Sequence, residues 1–138
     1  MKHNKYLDKL GLKITDYGTN WCTDKNDKRK KKWKKERKEY GFDSRETWNL
    51  NTTFVEWLYS HLKMYKKEAN KKVDLTYHKF TWKGQEITQL DAINLIIKEC
   101  EFYLLNKNSD NIGAENEAYK RMQEILKLWA DIFPSMWW

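Results

Sequence analysis

One proline, five glycines and two cysteines are all that 138 residues supply of those types. So few turn formers leave little room for tight corners, which excludes a β-sandwich, a barrel or long irregular loops. No stretch approaches the roughly 18 consecutive apolar residues that a membrane span needs. The opening Met1-Lys2-His3-Asn4-Lys5-Tyr6 is too polar for a secretion signal. Cys22 and Cys100 stand far apart with no CxxC pair. In a chain without a signal they are expected as reduced thiols, which places the protein in a cytoplasm. The glycines are too dispersed for a GxxxxGK or GxGxxG phosphate loop. His3, His61 and His78 have no paired metal-ligand spacing, and no GxSxG marks a nucleophile. No catalytic residue, metal or cofactor is assigned. The expected chemistry is non-enzymatic binding.

What the chain has instead is aromatic residues and local charge. Eight Trp and an aromatic content of 15% mean that large rigid side chains build much of the core. The formal net charge is +7. Lys25 to Lys38 holds ten basic residues against Asp27 and Glu36, a local +8, so the rest of the chain is net −1. A patch of this kind favours an anionic partner, a nucleotide or a nucleic acid, and gives no reason to expect a membrane.

The fold class is mainly α: a bundle of three long packed helices, a basic helix, and a small β-hairpin near 78–88. One domain over 1–138 is expected, with an arm over 1–22, the basic helix over 23–40 and a helical core over 43–138. Thr23 or Asp24 would cap the basic helix, and Gly41 suits the left-handed position after its end. That helix has almost no apolar stripe; only Trp33 and Tyr40, seven apart, share a face. Asp43 and Glu46 have capping-box spacing and predict a helix to about Ala69. Its face is Trp48, Val55, Leu58, Leu62 and Tyr65, with the polar Asn51 and Thr52 on the same side. Phe80, Trp82 and Ile87 flank a Lys83-Gly84 turn, the hairpin signal. Thr88 and Asp91 repeat the capping-box spacing ahead of Leu90, Ile93, Ile97, Cys100 and Leu104, the strongest helical pattern. A last helix over 114–133 carries a seam of Ala118, Met122, Ile125, Trp129 and Ile132 before Pro134.

Binding residues concentrate where the basic helix meets the next one. Arg offers a planar fork for phosphate, and Trp or Tyr offers a stacking face for a base. Trp33, Lys34, Arg37, Tyr40, Arg45, Trp48, Asn49, Asn51 and Thr52 form the candidate ligand-binding set. An indole wall and an amide and hydroxyl floor would suit a small phosphorylated ligand. The alternative for the same residues is a helix junction in which Trp33, Tyr40 and Trp48 pack and Arg45 and Glu46 lie on the surface. The basic helix alone could instead bind nucleic acid. Met136, Trp137 and Trp138 are the candidate interface residues, for a host protein or a second copy of the chain.

Two stretches carry a likeness. They are Tyr40-Gly41-Phe42-Asp43-Ser44-Arg45-Glu46-Thr47-Trp48-Asn49-Leu50, behind the Lys/Arg-rich helix, and Leu128-Trp129-Ala130-Asp131-Ile132-Phe133-Pro134-Ser135-Met136-Trp137-Trp138. Through them the chain resembles a group of small proteins encoded by bacteriophages and prophages of Gram-positive bacteria. The resemblance implies an accessory protein acting in the bacterial cytoplasm during infection or lysogeny. It transfers no catalytic residue. One concrete form of such a role is a sponge that sequesters a nucleotide signal of host immunity.

Overall fold

The computed structural model describes residues 4–12 and 26–138. The protein is mainly α-helical with one small antiparallel hairpin. It divides into two compact units, Met1–Trp57 and Leu58–Trp138. Among the described residues, no helix is long and apolar enough to cross a membrane.

In the first unit, helix α1 (Lys5–Asp8) is capped by the Asn4 side chain and buries Leu7. Helix α2 (Lys30–Tyr40) buries only Trp33. It starts at Lys30 and not near 23, because residues 26–29 form turns. Asp27 sets this limit. Its side chain accepts the Arg29 backbone N–H at 2.9 Å, and its carbonyl accepts that of Lys30 at 3.2 Å. Thr23 and Asp24, the expected caps, lie outside the described residues. Gly41 ends α2 with φ +84°, donating its N–H to the Arg37 carbonyl, as a left-handed cap does.

The Asp43–Glu46 capping box forms in both directions, but it caps a 3-10 turn (Ser44–Thr47) rather than a long helix. The Trp48 N–H closes that turn on the Arg45 carbonyl three residues back. The α-helix restarts as α3 (Leu50–Ala69), which crosses the boundary between the units. Its first part buries Thr52, Val55 and Glu56.

In the second unit, strands β1 (Lys79–Trp82) and β2 (Gln85–Thr88) pair with Phe80 opposite Ile87 and Trp82 opposite Gln85. The Lys83-Gly84 turn has positive φ at both residues, +50° and +76°, the geometry that follows the twist of a two-residue hairpin. A lone hairpin is marginal in water; this one rests with β1 on α5 (Ile112–Ile132) and β2 on α4 (Gln89–Asn106).

Helix α4 buries Ala92, Ile93, Ile96, Ile97, Cys100, Tyr103 and Leu104, the wide arc its sequence predicts. Helix α5 meets it along Ala118, Met122, Ile125, Leu128 and Ile132. Leu128 takes the core place expected of Trp129, whose ring turns edge-on to Phe133 at 5.9 Å. At the rim, Arg121 binds Glu99 through two bonds of 2.7 and 2.9 Å and covers the Phe102 ring at 3.7 Å. Tyr59, in the later part of α3, donates its hydroxyl to Glu101 of α4 at 2.9 Å. Burial pushes the Cys100 thiol up to about 12, so it packs as a small apolar group.

Thr88 and Asp91 cap α4 reciprocally, each side chain accepting the other's backbone N–H at 3.0 Å. Thr88→Ala is expected to lower unfolding stability by about 1 kcal/mol in a urea titration, while Thr88→Ser stays within about 0.5 kcal/mol. Equal loss in both variants would mean that the hydroxyl does not cap.

Candidate functional site

The segment from Asp27 to Trp48 contains one local pattern twice. Asp27-Lys28-Arg29 and Asp43-Ser44-Arg45 are both Asp-X-Arg hooks. In each, the Asp Oδ1 accepts the Arg backbone N–H (2.9 and 3.0 Å) and its Nε (3.0 Å in both). In each, the Asp Oδ2 accepts the Arg Nη2 at 2.8 Å. The hooks flank α2 and deliver both guanidinium groups to one indole. Arg45 lies 4.5 Å and Arg29 5.1 Å from the centre of the Trp33 ring. Trp48 stands edge-on to Trp33 at 6.1 Å and 73°, and Arg29 also reaches it, at 5.6 Å.

The second hook is buried. The Asp43 side chain has no exposed surface, and Arg37 from α2 adds a third charge, its Nε 2.8 Å from Asp43 Oδ2. Arg37 Nη2 also lies 3.8 Å from Glu46. Glu36, one residue earlier, accepts the Ser44 backbone N–H at 2.8 Å. Burial works against ionisation of Asp43, but hydrogen bonds from Arg45 and the fields of Arg37 and Arg45 outweigh it and hold its carboxyl below the ordinary value. At the exposed hook, hydrogen bonds from Arg29 bring Asp27 down to about 2.

These contacts reassign several expected ligand residues. Arg45 is only 8% exposed, and Glu46 is buried with it, so neither is the surface group that a junction reading expected. The guanidinium groups of Arg45 and Arg37 are held by Asp43. A phosphate at Arg45 would have to displace a buried carboxylate, which is unfavourable. Trp48 is 44% exposed rather than a core wall, whereas Trp33 is 3% exposed and anchors α2. Asn49 and Asn51 are exposed and Thr52 is buried, so the expected amide and hydroxyl floor is split between two sides of the chain. Tyr40 is exposed and pairs with Phe42 at 6.4 Å.

Lys34, the remaining residue of the expected ligand-binding set, is exposed on α2. Lys28, Lys30, Lys31, Lys32, Lys34, Lys35 and Lys38 are all exposed. Among the described residues only Lys32 of these has an acidic partner, Glu36 at 3.6 Å. At 100° per residue, Lys31, Lys34, Lys35 and Lys38 fall within an arc of roughly 100°, on the side of α2 away from Trp33. Sequence reasoning missed the hooks. Their signal was present as Asp-X-Arg at both ends of the basic helix.

The C-terminal residues behave differently from a free tail and from a buried one. A 3-10 turn (Phe133–Ser135) follows α5. The Tyr65 hydroxyl donates to the Trp137 carbonyl at 3.0 Å, and the Gln89 amide nitrogen donates to the Ser135 carbonyl at 3.1 Å. The backbone is thus fixed, Met136 is half-buried, and the side chains of Trp137 and Trp138 are exposed.

No protein-family model matches the chain, and no curated protein or solved structure is significantly similar to it.

Proposed function

We propose that the first unit is a non-enzymatic nucleic-acid-binding module that uses α2 as its contact surface and favours single strands. One observation carries this reading: α2 presents lysines on one open arc while the guanidinium groups of Arg29, Arg37 and Arg45 are tied to Asp27 and Asp43. Lysines without acidic partners are the groups that exchange counterions with a phosphate backbone. Exposed rings of Tyr40, Phe42 and Trp48 near the end of the helix supply faces on which unpaired bases stack. The opposite side of α2 is occupied by Trp33, so the helix has no apolar face for a lipid surface. An accessory protein of a phage, the role implied by the resemblance, would meet this partner throughout infection.

Fluorescence anisotropy with a labelled single strand tests the proposal. Micromolar binding at 50 mM salt is expected, and four to six lysine–phosphate contacts give a log K against log salt slope of roughly −3 to −4. Changing Lys31, Lys34, Lys35 and Lys38 together to Gln should leave the fold intact and make the slope shallower than about −1.5. Changing Lys72, Lys98, Lys120 and Lys127 removes the same charge from the exposed surface of the second unit and should alter affinity by less than about threefold. Equal losses in the two variants would reduce the effect to net charge. Binding confined to mononucleotides or cyclic nucleotides would replace the proposal with a small-ligand site.

A further inference from the structure

In the second unit a cavity of ≈ 260 Å³ opens between the segment before the hairpin and the C-terminal tail. Val73, Asp74, Tyr77, His78, Gln89, Ser135 and Trp137 line it. Its walls are fixed by hydrogen bonds rather than by packing alone. The Gln89 and Leu90 backbone N–H groups donate to the carbonyls of His78 and Leu75, at 3.1 and 2.9 Å, and tie the first wall to α4. The Tyr65 and Gln89 bonds to the tail hold the second.

Two residues that line this space, Gln89 and Asp74, carry acceptor atoms with no partner among the described residues. Gln89 is 2% exposed, and the bond from its Nε2 to the Ser135 carbonyl fixes which end of the amide is nitrogen. Its Oε1 has no hydrogen-bond partner among the described residues and is not sealed from solvent, so it is open to a ligand. Asp74 is kept ionised by hydrogen bonds from the Thr76 side chain and backbone. Those bonds use Oδ1 and leave Oδ2 for a ligand. Trp137 is 70% exposed although its backbone is pinned, and Tyr77, on the same lining, is exposed with its ring edge-on to His78 at 5.3 Å. Two acceptors and two electron-rich ring faces around one small space match a cation that carries several N–H donors.

We propose that this cavity binds an organic cation, an ammonium or guanidinium head on an alkyl stem, with Val73 against the stem. Asp74 and Gln89 Oε1 take the N–H donors, and Trp137 and Tyr77 cover the charge. Lys79 is the chain's own nearby cation, its field felt at Asp74, and it opposes binding. The head can come from a free polyamine or from a Lys or Arg side chain of a partner peptide.

The test is titration of the full chain with spermidine, with a lysine-containing pentapeptide blocked at both termini and with its Nε-acetylated form, read by amide and indole N–H chemical shifts. Shifts at the Gln89 side-chain amide and the Trp137 indole are expected for the two cations and not for the acetylated peptide. Asp74→Asn, which keeps the acceptor for Thr76, should weaken binding at least tenfold, and Lys79→Gln should strengthen it. A peptide at least tenfold tighter than spermidine would assign the site to a protein partner; similar affinities would assign it to free amines. Equal binding of the acetylated peptide, full-strength binding by Asp74→Asn, or no shift at saturating spermidine would each overturn the proposal.

Discussion

Asp43→Ala is expected to remove about 3–5 kcal/mol of stability from the first unit, the cost of leaving buried charge without its partner. Asp43 accepts three hydrogen bonds from Arg45 and lies 2.8 Å from Arg37. Without it, two guanidinium groups face each other across a water-poor junction, and the 3-10 turn loses its cap. Amide hydrogen exchange over α2 and Ser44–Thr47 measures the loss where it occurs. Because the partners act together, Asp43→Ala combined with Arg45→Ala should cost clearly less than the sum of the two single changes. Additive costs, or protection unchanged in Asp43→Ala, would show that the network contributes nothing. The same carboxyl gives a pH signature. Its folded value is depressed below 3.8, so its contribution is complete above about pH 4 and drains as pH falls through the folded value. Acid titration of α2 protection should therefore show a component below pH 3.8 that Asp43→Asn lacks.

Trp33→Ala is expected to cost about 3–5 kcal/mol, and Trp48→Ala no more than about 2 kcal/mol. Trp33 is the one residue α2 buries, and the Arg45 and Arg29 guanidinium groups lie against it. An 11-residue helix rich in lysine does not hold in water on its own propensity, so its docking rests on that indole. Loss of Trp33 should melt α2, seen as collapsed amide protection and reduced far-ultraviolet dichroism. Trp48 is nearly half exposed, and its removal leaves the Trp33–Arg45 contact in place. If the exposed Trp48 face stacks bases, Trp48→Ala should weaken single-strand binding by about 1–3 kcal/mol. The two indoles then separate: one carries stability and the other carries affinity. A larger stability loss for Trp48→Ala than for Trp33→Ala would reverse the assignment.

The helices and the hairpin were legible in the sequence because their signals are local. The Thr88–Asp91 box, the apolar arc from Ile93 to Leu104 and the Lys83-Gly84 turn each draw on neighbours within a few residues, and each appears where expected. The start of α2 was misread because Asp27 accepts from Arg29 and closes a turn ahead of the helix. The seam of α5 was misread by one residue: Leu128 and Trp129 both fit the period, and only the surface of α4 selected Leu128.

Composition and spacing by themselves determined a mainly helical chain, one basic helix, its glycine stop and the Asp43 cap. Burial was decided by tertiary structure. The two Asp-X-Arg hooks are the clearest case. Their internal hydrogen bonds are the same to within 0.1 Å, because those bonds depend on residues two apart. Yet Arg29 is exposed and Arg45 is buried. At the buried hook α2 also brings the charge of Arg37 to Asp43, which offsets the cost of taking that carboxylate out of water. A two-residue pattern fixes the geometry of a pair. Which pair leaves water depends on the segments that fold over it, and that choice turned an expected phosphate fork into part of the junction.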